Sequence, residues 1–282
     1  MRIKDLLDRY GIQPSKGLGQ NFLTADWVYD RIIEASDLQS DDAVLEIGPG
    51  LGTLTGRLAQ AAGRVVAVEL DERLLSLLHE VLAAYENVDI VHGDILEHDA
   101  AELICDAEQL ESGRCRYKVV ANLPYYITSR VLRNLLMAAV RPERLTLLVQ
   151  KEVADRITAE PGDMSVLAVS VQVFGDPRLI CRVPASAFYP SPNVASAVLS
   201  VHTYEKPRIS EEMLERFFRV VRAAFQQKRK QIHNSLSANL AQDKASVLAA
   251  LEEADIAPER RPQTLDIDEW RRLTHALYPI AQ

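Results

Sequence analysis

The sequence predicts a doubly wound α/β sheet followed by a smaller, all-helical C-terminal domain. Short apolar runs alternate with helical patterns five times between residues 44 and 158, and strand patterns disappear after Pro207. Such alternation is typical of a mostly parallel sheet with helices on both faces. A glycine-rich turn after the first apolar run is typical of a ligand site at the edge of such a sheet. We therefore predict two domains, residues 1–204 and residues 205–282.

The composition is that of an ordinary globular protein. The 282 residues are 48% hydrophobic and 26% charged, and a chain of this length can bury a full core. The N-terminus is too charged to begin a signal peptide, and no run approaches the roughly 18 apolar residues of a membrane span. We therefore expect a cytoplasmic protein without membrane contact.

Cysteine, histidine and overall charge narrow the possible chemistry. Cys105, Cys115 and Cys181 form no C-x-x-C pair, and we expect them to be reduced thiols. The six histidines are scattered without metal-ligand spacing, so we predict no metal. A net charge of −8 excludes a uniformly basic nucleic-acid coat but allows a local basic patch.

The N-terminal segment begins with a short amphipathic helix. Its apolar residues fall at helical spacing over residues 3–10, and Gly11 ends it. Residues 16–23 are polar and flexible, so from the residues alone they form a linker. The next helix is predicted over residues 26–36, with Asp26 as its cap.

A glycine-rich turn follows the first buried strand. The apolar run at residues 44–47 enters Gly48-Pro49-Gly50-Leu51-Gly52, and a helix is predicted over residues 53–61. The third glycine lies four residues after the first, whereas a dinucleotide fingerprint requires five. That spacing, with Glu46 just before the turn, favours S-adenosylmethionine over the NAD of an oxidoreductase. The same pattern also fits a tight strand-to-helix turn that binds nothing.

Acidic residues follow the next two predicted strands. Glu69 ends the run at residues 64–69, and Asp94 follows the run at residues 88–92. In doubly wound nucleotide folds, an acid in the position of Glu69 accepts hydrogen bonds from ribose hydroxyls, and ligands bind at the carboxyl ends of the strands. The alternatives are a surface glutamate beside Asp71 and an ordinary turn aspartate.

Strand and helix patterns continue through the rest of the first domain. Residues 97–117 are irregular, with a helical turn or two, and further strands are predicted over residues 117–121 and 145–150. Residues 165–174 fit either a strand or a buried helix. Residues 177–184 and 195–202 predict a pair of strands, joined by a proline-pinned loop with exposed aromatic residues.

The strand at residues 117–121 leads into Asn122-Leu123-Pro124-Tyr125. This pattern suits methyl transfer to an amino group conjugated to a ring, because the Asn122 side chain and the Leu123 backbone oxygen can accept from its two N–H groups. The nitrogen is thereby drawn toward tetrahedral geometry, with its lone pair aimed at the methyl donor. Pro124 fixes the turn, and Tyr125 can stack on the base. The alternative is a proline-terminated strand with an asparagine turn.

The last part of the chain predicts only helices. They cover residues 210–239, with a break near the Gln/Lys/Arg run, and residues 244–254, and Asp266 opens the last one. Residues 206–233 carry eight lysines and arginines against three glutamates. In an acidic chain this asymmetry favours a phosphate-binding face, although most charge runs are solvated helix faces.

Seven segments together resemble the ribosomal RNA adenine N6,N6-dimethyltransferase family, and specifically its small-subunit branch. They extend through nearly the whole chain: Gly19-Gln20-Asn21-Phe22-Leu23, Glu46-Ile47-Gly48-Pro49-Gly50-Leu51-Gly52, Val68-Glu69-Leu70-Asp71, Gly93-Asp94-Ile95, Asn122-Leu123-Pro124-Tyr125, Ala187-Phe188-Tyr189-Pro190 and Phe225-Gln226-Gln227-Lys228-Arg229-Lys230. The resemblance implies a Rossmann-like class I methyltransferase domain followed by a helical domain that docks ribosomal RNA.

The resemblance also implies roles for individual residues. The cofactor-binding residues would be Asn21, Leu23, Gly48, Gly50, Glu69, Asp94 and Asn122. The catalytic residues would be Asn122, Leu123, Pro124, Tyr125 and Phe188. In these roles Glu69 binds the ribose and Asp94 the adenine ring of S-adenosylmethionine, while Tyr125 and Phe188 lie on the two faces of the target adenine. The loop at residues 16–23 then belongs to the cofactor pocket rather than to a linker.

The function expected from this resemblance is N6,N6-dimethylation of two adjacent adenosines of 16S ribosomal RNA in the small subunit, by a monomer that uses S-adenosylmethionine. One rival is the large-subunit dimethyltransferase that confers macrolide resistance. Another is a ribosome-assembly checkpoint whose methylation is incidental. The segment Ala187-Phe188-Tyr189-Pro190 and the long helical domain favour the small-subunit branch, but the motifs do not rank catalysis against the checkpoint role.

Overall fold

The computed structural model of the protein describes residues 3–279. These residues form two compact units, the first made of residues 3–154 and 178–203 and the second of residues 155–177 and 204–279. The predicted domain termini, residues 1–2 and 280–282, lie outside the described residues. The predicted boundary after residue 204 lies next to the junction after residue 203. The segment 155–177, which the sequence assigns to the first domain, belongs instead to the second unit.

The helices and strands follow the predicted alternation. The helices are α1 (Ile3–Arg9), α2 (Asp26–Ser36), α3 (Thr53–Ala61), α4 (Glu72–Val81), α5 (Ala100–Ile104), α6 (Ala107–Glu111), α7 (Thr128–Met137), α8 (Lys151–Ile157), α9 (Val166–Gln172), α10 (Leu214–Phe225), α11 (Ile232–Asn239), α12 (Lys244–Glu253) and α13 (Ile267–Leu277). The strands are β1 (Phe22–Leu23), β2 (Ala43–Ile47), β3 (Arg64–Glu69), β4 (Val88–His92), β5 (Lys118–Asn122), β6 (Arg144–Gln150), β7 (Gly175–Val183), β8 (Phe188–Tyr189) and β9 (Ser196–Thr203).

The main sheet has the strand order β4-β3-β2-β5-β6-β9-β7. The strands from β4 to β6 in that order are parallel, and β9 is antiparallel to β6. The central strands β2 and β3 are buried on both sides, as a parallel sheet covered by helices requires. The predicted doubly wound, mostly parallel sheet is therefore confirmed.

The strand register brings the polar strand ends to one edge. Ile47 at the end of β2 lies opposite Val68 of β3 and Ala121 of β5. The next residues along those two neighbours are Glu69 and Asn122, which therefore lie beside the turn that follows β2. The carboxyl edge of the sheet thus collects residues that are far apart in the sequence.

The turn after β2 depends on glycine. Gly48, Gly50 and Gly52 have φ angles of 71°, 58° and 76°, in the left-handed region that other residues rarely adopt. A Cβ atom on Gly50 would also lie 3.3 Å from the Phe22 ring. The turn can therefore follow this path only with glycines, and Gly52 then forms the N-terminal cap position of α3.

A two-stranded sheet, β1 with β8, joins two segments that the sequence predicts as loops. Phe22 lies opposite Tyr189, and Leu23 lies opposite Phe188. The expected exposure of both aromatic residues is wrong for Phe188, which is 5% exposed, whereas Tyr189 is 37% exposed. Phe188 is buried because its strand packs against the N-terminal segment.

Two local predictions are decided by the structure. Asp26 does not cap α2, because the cap position is Ala25 and makes no side-chain hydrogen bond. Asp26 is instead the first residue of the helix, and its carboxylate accepts a hydrogen bond of 2.7 Å from Arg57. The segment 165–174, for which strand and helix remained open, forms helix α9.

The expectation that all three cysteines are reduced thiols is wrong for two of them. Cys105 and Cys115 form a disulfide, and their Cα atoms are 5.7 Å apart. Cys105 directly follows α5, the chain between the two cysteines contains α6, and the Cys115 N–H donates to the carbonyl of Gln109 in α6. Cys181 is a free thiol.

The second unit has a helical core of its own. Trp270 of α13 and Phe217 of α10 are fully buried, and α10 contacts α9, α11 and α13. Phe174, which follows α9, stacks on Phe218 of α10 with ring centroids 6.2 Å apart. These contacts explain why residues 155–177 group with the helices. As predicted, Asp266 opens α13, in a reciprocal capping box with Glu269.

Candidate active site

Two neighbouring cavities lie at the carboxyl edge of the sheet in the first unit. The first is lined by Gly19, Gln20, Asn21, Phe22, Leu23, Tyr29, Glu46, Gly48, Pro49, Gly50, Leu51, Thr53, Leu54, Asn122, Leu123, Pro124, Tyr125 and Phe188. The second is lined by Leu18, Gln20, Ile47, Gly48, Val68, Glu69, Leu70, Gly93, Asp94, Ile95, Pro124, Tyr126 and Ile127. Gln20, Gly48 and Pro124 line both, so the cavities adjoin. Every site residue predicted from the sequence lines one cavity or the other.

The Glu69 carboxylate connects the glycine turn to the end of β3. Its two oxygens accept hydrogen bonds from the Gly50 N–H at 3.1 Å and from the Asp71 N–H at 2.8 Å. Burial raises the pKa of Glu69, and the two backbone hydrogen bonds oppose that rise. The carboxylate also lines the second cavity, where its remaining lone pairs can accept hydrogen bonds from hydroxyl donors.

Asp94 follows β4, the neighbour of the strand that ends in Glu69, and lines the same cavity. Its Oδ1 accepts a hydrogen bond of 2.9 Å from the Leu96 N–H and so caps the short helical turn Ile95–Glu97. The turn role that the sequence offers as an alternative is therefore real. Asp94 lines the cavity as well, so the turn fixes the position of its carboxylate there.

Asn122 links the first cavity to the N-terminal segment. Its Nδ2 donates a hydrogen bond of 3.3 Å to the Asn21 carbonyl. This orientation leaves the side-chain oxygen of Asn122 as an acceptor. The Leu123 N–H donates to the Leu148 carbonyl of β6 at 3.2 Å, which holds the turn against the sheet.

Two aromatic rings line the first cavity together with Asn122. The Tyr125 hydroxyl forms a hydrogen bond of 2.7 Å with the buried Ser196 hydroxyl, and this bond fixes the plane of the ring. Burial raises the pKa of Tyr125, so the hydroxyl is neutral at physiological pH. Phe188, on β8, supplies the second ring.

Glu46 lines the first cavity but is absent from the predicted site residues. It is 1% exposed, and its Oε2 has no hydrogen-bond partner in the described part of the chain. Burial raises the pKa of Glu46 to about 8, and the negative charge of Glu69 acts in the same direction. Its position two residues before Gly48 is the sequence feature that could have identified it, but in the sequence analysis that feature indicates only the type of cofactor.

The predicted basic run reaches its highest density in the second unit between α10 and α11. Lys228, Arg229 and Lys230 are all exposed, in the turn that separates the two helices. Together with Gln226 and Gln227 they line a shallow cavity on the surface. Exposed cations in one turn can approach a phosphate backbone without first breaking buried contacts.

None of the helices within residues 3–279 is long and apolar enough to cross a membrane. Within the same residues, no group of three or more His, Cys, Asp or Glu side chains could hold a metal ion.

Residues 13–274 match the family model described as ribosomal RNA adenine dimethylase. A ribosomal RNA small subunit methyltransferase A of Dehalococcoides mccartyi is 44% identical over 270 residues, which are 96% of this chain and 90% of the relative. The protein of the same name from Geobacillus thermodenitrificans is 41% identical over 284 residues, covering 99% and 96% of the two chains.

Two solved structures share the fold over most of the chain. A dimethyladenosine transferase from Plasmodium falciparum has a TM-score of 0.77 at 26% identity, covering 89% of this chain and 95% of the other. The 23S rRNA methyltransferase ErmE has a TM-score of 0.73 at 29% identity, covering 91% and 99%. The class I methyltransferase fold with a helical domain, predicted from the sequence, is confirmed by these likenesses.

Glu46 provides a test of the site's electrostatics. Its folded pKa of about 8 lies above the ordinary value of 4.5, so the folded protein keeps this proton where the unfolded chain has lost it, and the free energy of unfolding falls as the pH rises from about 4.5 to about 8. Glu46→Gln, which stays neutral, should match the parent near pH 5, gain on it progressively up to about pH 8, and keep a constant advantage above that. Thermal unfolding between about pH 5 and pH 9 measures this, and parallel profiles would contradict it.

Proposed function

The chain belongs to the ribosomal RNA adenine dimethylase family, and on that premise we propose that it transfers methyl groups from S-adenosylmethionine to N6 of two adjacent adenosines in 16S ribosomal RNA. The small-subunit substrate is supported by the relatives of 41–44% identity that are named for that subunit. The likeness to a 23S rRNA methyltransferase is at 29% identity, which makes the large subunit the second choice. The enzyme is proposed to work as a cytoplasmic monomer on the small subunit or its precursor.

The observation that carries the proposal is the convergence of all predicted site residues on two adjoining cavities. The polar groups that line these cavities suit S-adenosylmethionine, which supplies an electrophilic methyl group on its sulfonium when bound. Glu69 and Asp94 offer acceptors to the ribose hydroxyls and the adenine amino group in the second cavity. Gly48 and Gly50 let the backbone approach the methionine part in the first cavity, which Asn21 and Leu23 also line.

The target adenine is proposed to lie in the first cavity between Tyr125 and Phe188. Stacking on an aromatic ring is worth about 1–3 kcal/mol per base, and two rings exclude water from both faces. The hydrogen bond between the Tyr125 and Ser196 hydroxyls fixes one ring in advance, and the β1–β8 pairing fixes the other. The base therefore meets a preformed slot rather than mobile side chains.

Asn122 and Leu123 orient the nitrogen that is methylated. The side-chain oxygen of Asn122 and the backbone oxygen of Leu123 accept hydrogen bonds from the two N6 hydrogens, and Pro124 holds the two acceptors in one turn. The N6 lone pair is then no longer fully delocalised into the ring and can form the new N–C bond as the bond between the methyl carbon and the sulfur of the donor breaks. Once alkylated, the nitrogen is acidic and loses a proton to water, so no strong base is required.

The basic turn between α10 and α11 is proposed to bind ribosomal RNA through phosphates. The turn with Lys228, Arg229 and Lys230 is exposed and carries no acidic residue of its own. Each phosphate contact by a lysine or arginine releases bound counterions, which makes the affinity fall with salt. This surface would add affinity without reading the base sequence.

The proposed reaction can be tested on ribosomal particles. Labelled S-adenosylmethionine is incubated with unmethylated small subunits, large subunits and naked ribosomal RNA, and the modified bases are mapped. Dimethyladenosine at two adjacent positions of the small-subunit RNA would support the proposal. Label in the large subunit would favour the second choice, and no label in any arm would overturn the proposed activity.

Glu69→Ala should weaken cofactor binding by about a hundredfold or more. Charged hydrogen bonds are worth about 1.5–3 kcal/mol each, and 1.4 kcal/mol is a factor of ten in affinity. Calorimetric titration with S-adenosylhomocysteine is the measurement. Glu72→Ala, an exposed neighbour on α4, is the matched control and should bind as the parent does. An unchanged dissociation constant in folded Glu69→Ala would remove Glu69 from the site.

Replacing Lys228, Arg229 and Lys230 together with Ala should weaken subunit binding and reduce its salt dependence by roughly three units of slope at most. Cofactor affinity should stay at the parent's value, because none of the three residues lines either of the two cavities in the first unit. Lys244→Ala, an exposed cation on α12 of the same unit, is the control. A triple variant with the parent's salt dependence would show that the run is only a solvated face.

The stacking and orienting roles at the target base can be separated by substitution. Tyr125→Phe should keep most activity, because stacking needs no hydroxyl, whereas Tyr125→Ala and Phe188→Ala should lose it. Asn122→Ala should fall further, because it removes the acceptor that aligns the N6 lone pair. Mass spectrometry of mono- and dimethyladenosine per subunit, at saturating S-adenosylmethionine, is the assay. Normal turnover by Asn122→Ala or Phe188→Ala would show that the adenine is held elsewhere.

A further inference from the structure

Residues 15–21, here called the strap, cross the boundary between the two cavities. Gln20 of the strap lines both of them. Gly19 packs so closely that a Cβ atom there would lie 3.3 Å from Pro124 and 3.3 Å from the ring of Tyr126. A ligand that occupies both cavities must therefore pass along the strap.

The strap is folded around the side chain of Gln20. The Gln20 Oε1 accepts a hydrogen bond of 2.7 Å from the Ser15 N–H, and the Gln20 N–H donates to the Ser15 carbonyl at 3.1 Å. The Gly19 N–H donates to the Lys16 carbonyl at 3.1 Å. An interaction that fixes the Gln20 side chain therefore also fixes the position of the strap.

Asp71 makes that interaction. Its Oδ2 accepts a hydrogen bond of 2.7 Å from the Gln20 Nε2, and the Asp71 residue is 6% exposed. Arg73 grips the same carboxylate as a fork, with Nε 2.8 Å from Oδ1 and one terminal nitrogen 2.6 Å from Oδ2. The fork holds the carboxylate in one orientation and keeps it charged.

Asp71, which binds the strap through Gln20, is also hydrogen-bonded to Glu69, the acid proposed to bind the ribose. The Asp71 N–H donates to Glu69 Oε1 at 2.8 Å. The strap is attached at its other end as well, where the Asn21 carbonyl accepts from Asn122. The strap thus connects the cofactor acid on β3 with the residue proposed to orient the target nitrogen on β5.

We propose that Asp71 is a positioning residue that latches the strap across the cofactor cleft through Gln20 and so sets how fast the cofactor is exchanged. The inference rests on the proposed function, because it takes the two cavities as one S-adenosylmethionine site. The closed latch retains S-adenosylmethionine until its one methyl group is transferred, and the spent S-adenosylhomocysteine must then be exchanged before the next transfer. Loss of the latch should raise the KM for S-adenosylmethionine more than it lowers kcat at saturation.

The test exchanges the two latch partners. Gln20→Glu places a second carboxylate against Asp71, while its oxygens can still accept from the Ser15 N–H. Asp71→Asn alone still offers one oxygen to Gln20 and should show a smaller loss. In the double variant the new amide can donate to the new carboxylate, while Arg73 keeps the oxygen of that amide and its terminal nitrogen can turn to the new carboxylate, so the contact is restored with its direction reversed. Glu80→Gln is the matched control, because Glu80 binds Arg9 and Tyr10 of the N-terminal segment but not the strap.

Two readouts are measured on the full chain. The dissociation rate of S-adenosylhomocysteine is followed by stopped-flow displacement, and trypsin cleavage after Lys16 in the strap is followed without cofactor. Gln20→Glu should release S-adenosylhomocysteine about tenfold faster or more, the change expected for losing one charged hydrogen bond. Its strap should also be cleaved faster, and the double variant should recover most of both losses. Glu80→Gln should behave as the parent does.

The outcomes separate the latch from the proposed function. Parent-like release and cleavage in both Gln20→Glu and Asp71→Asn would overturn the latch. A double variant no better than the sum of the single ones would also overturn it, because the two residues would then not act through each other. If the parent fails to bind S-adenosylhomocysteine, the proposed cofactor is wrong, and cleavage at Lys16 still decides whether Asp71 holds the strap.

Discussion

The buried carboxylate of Glu69 joins the glycine turn after β2 to the first residues after β3. Removing a carboxylate from water is unfavourable, and here the N–H groups of Gly50 and Asp71 offset part of that penalty. The Gly50 N–H can point at Glu69 only because the turn adopts positive φ angles. This glycine turn begins after Ile47, which the register of β2 and β3 places beside Val68. The position of the acid therefore depends on the pairing of the whole parallel sheet.

The two cavities of the proposed site have unlike linings. Glu69 and Asp94 provide acidic acceptors on the side of β3 and β4, where ribose and adenine donors are proposed to bind. On the side of β5 the acceptors are neutral, from Asn122 and Leu123, with aromatic rings nearby. A neutral amine that must become a nucleophile is better served by neutral acceptors and a dry slot than by charges. Glu46 lines the first cavity, and the raised pKa of its carboxyl lessens the negative charge there at neutral pH.

Much of this arrangement could be predicted from local patterns in the sequence. Parallel strands end at one edge, so a polar residue directly after an apolar run, such as Glu69 or Asn122, belongs to that edge whatever the rest of the chain does. The spacing of Gly48, Gly50 and Gly52 likewise reports a backbone requirement that is local. Helices with strong caps, such as the one that Asp266 opens, are visible for the same reason.

What could not be predicted depends on contacts between distant segments. The burial of Phe188 follows from pairing with Leu23, which lies far away in the sequence and has no periodic pattern around it. The disulfide between Cys105 and Cys115 requires the return of the chain around α6, and their ten-residue separation indicates no standard motif. Helix α9 joins the second unit because Phe174 packs on Phe218, a contact that the apolar run at residues 165–174 alone does not specify.

The central claim is that the adjoining cavities form one cofactor site with the target nitrogen beside Asn122. A crystal structure of the protein with S-adenosylhomocysteine tests it most directly. The account predicts ribose hydroxyls within hydrogen-bond distance of Glu69, the methionine part against the turn at Gly48 and Gly50, and the sulfur atom facing Asn122. A cofactor bound outside these cavities, or one whose sulfur faces away from Asn122, would contradict the account.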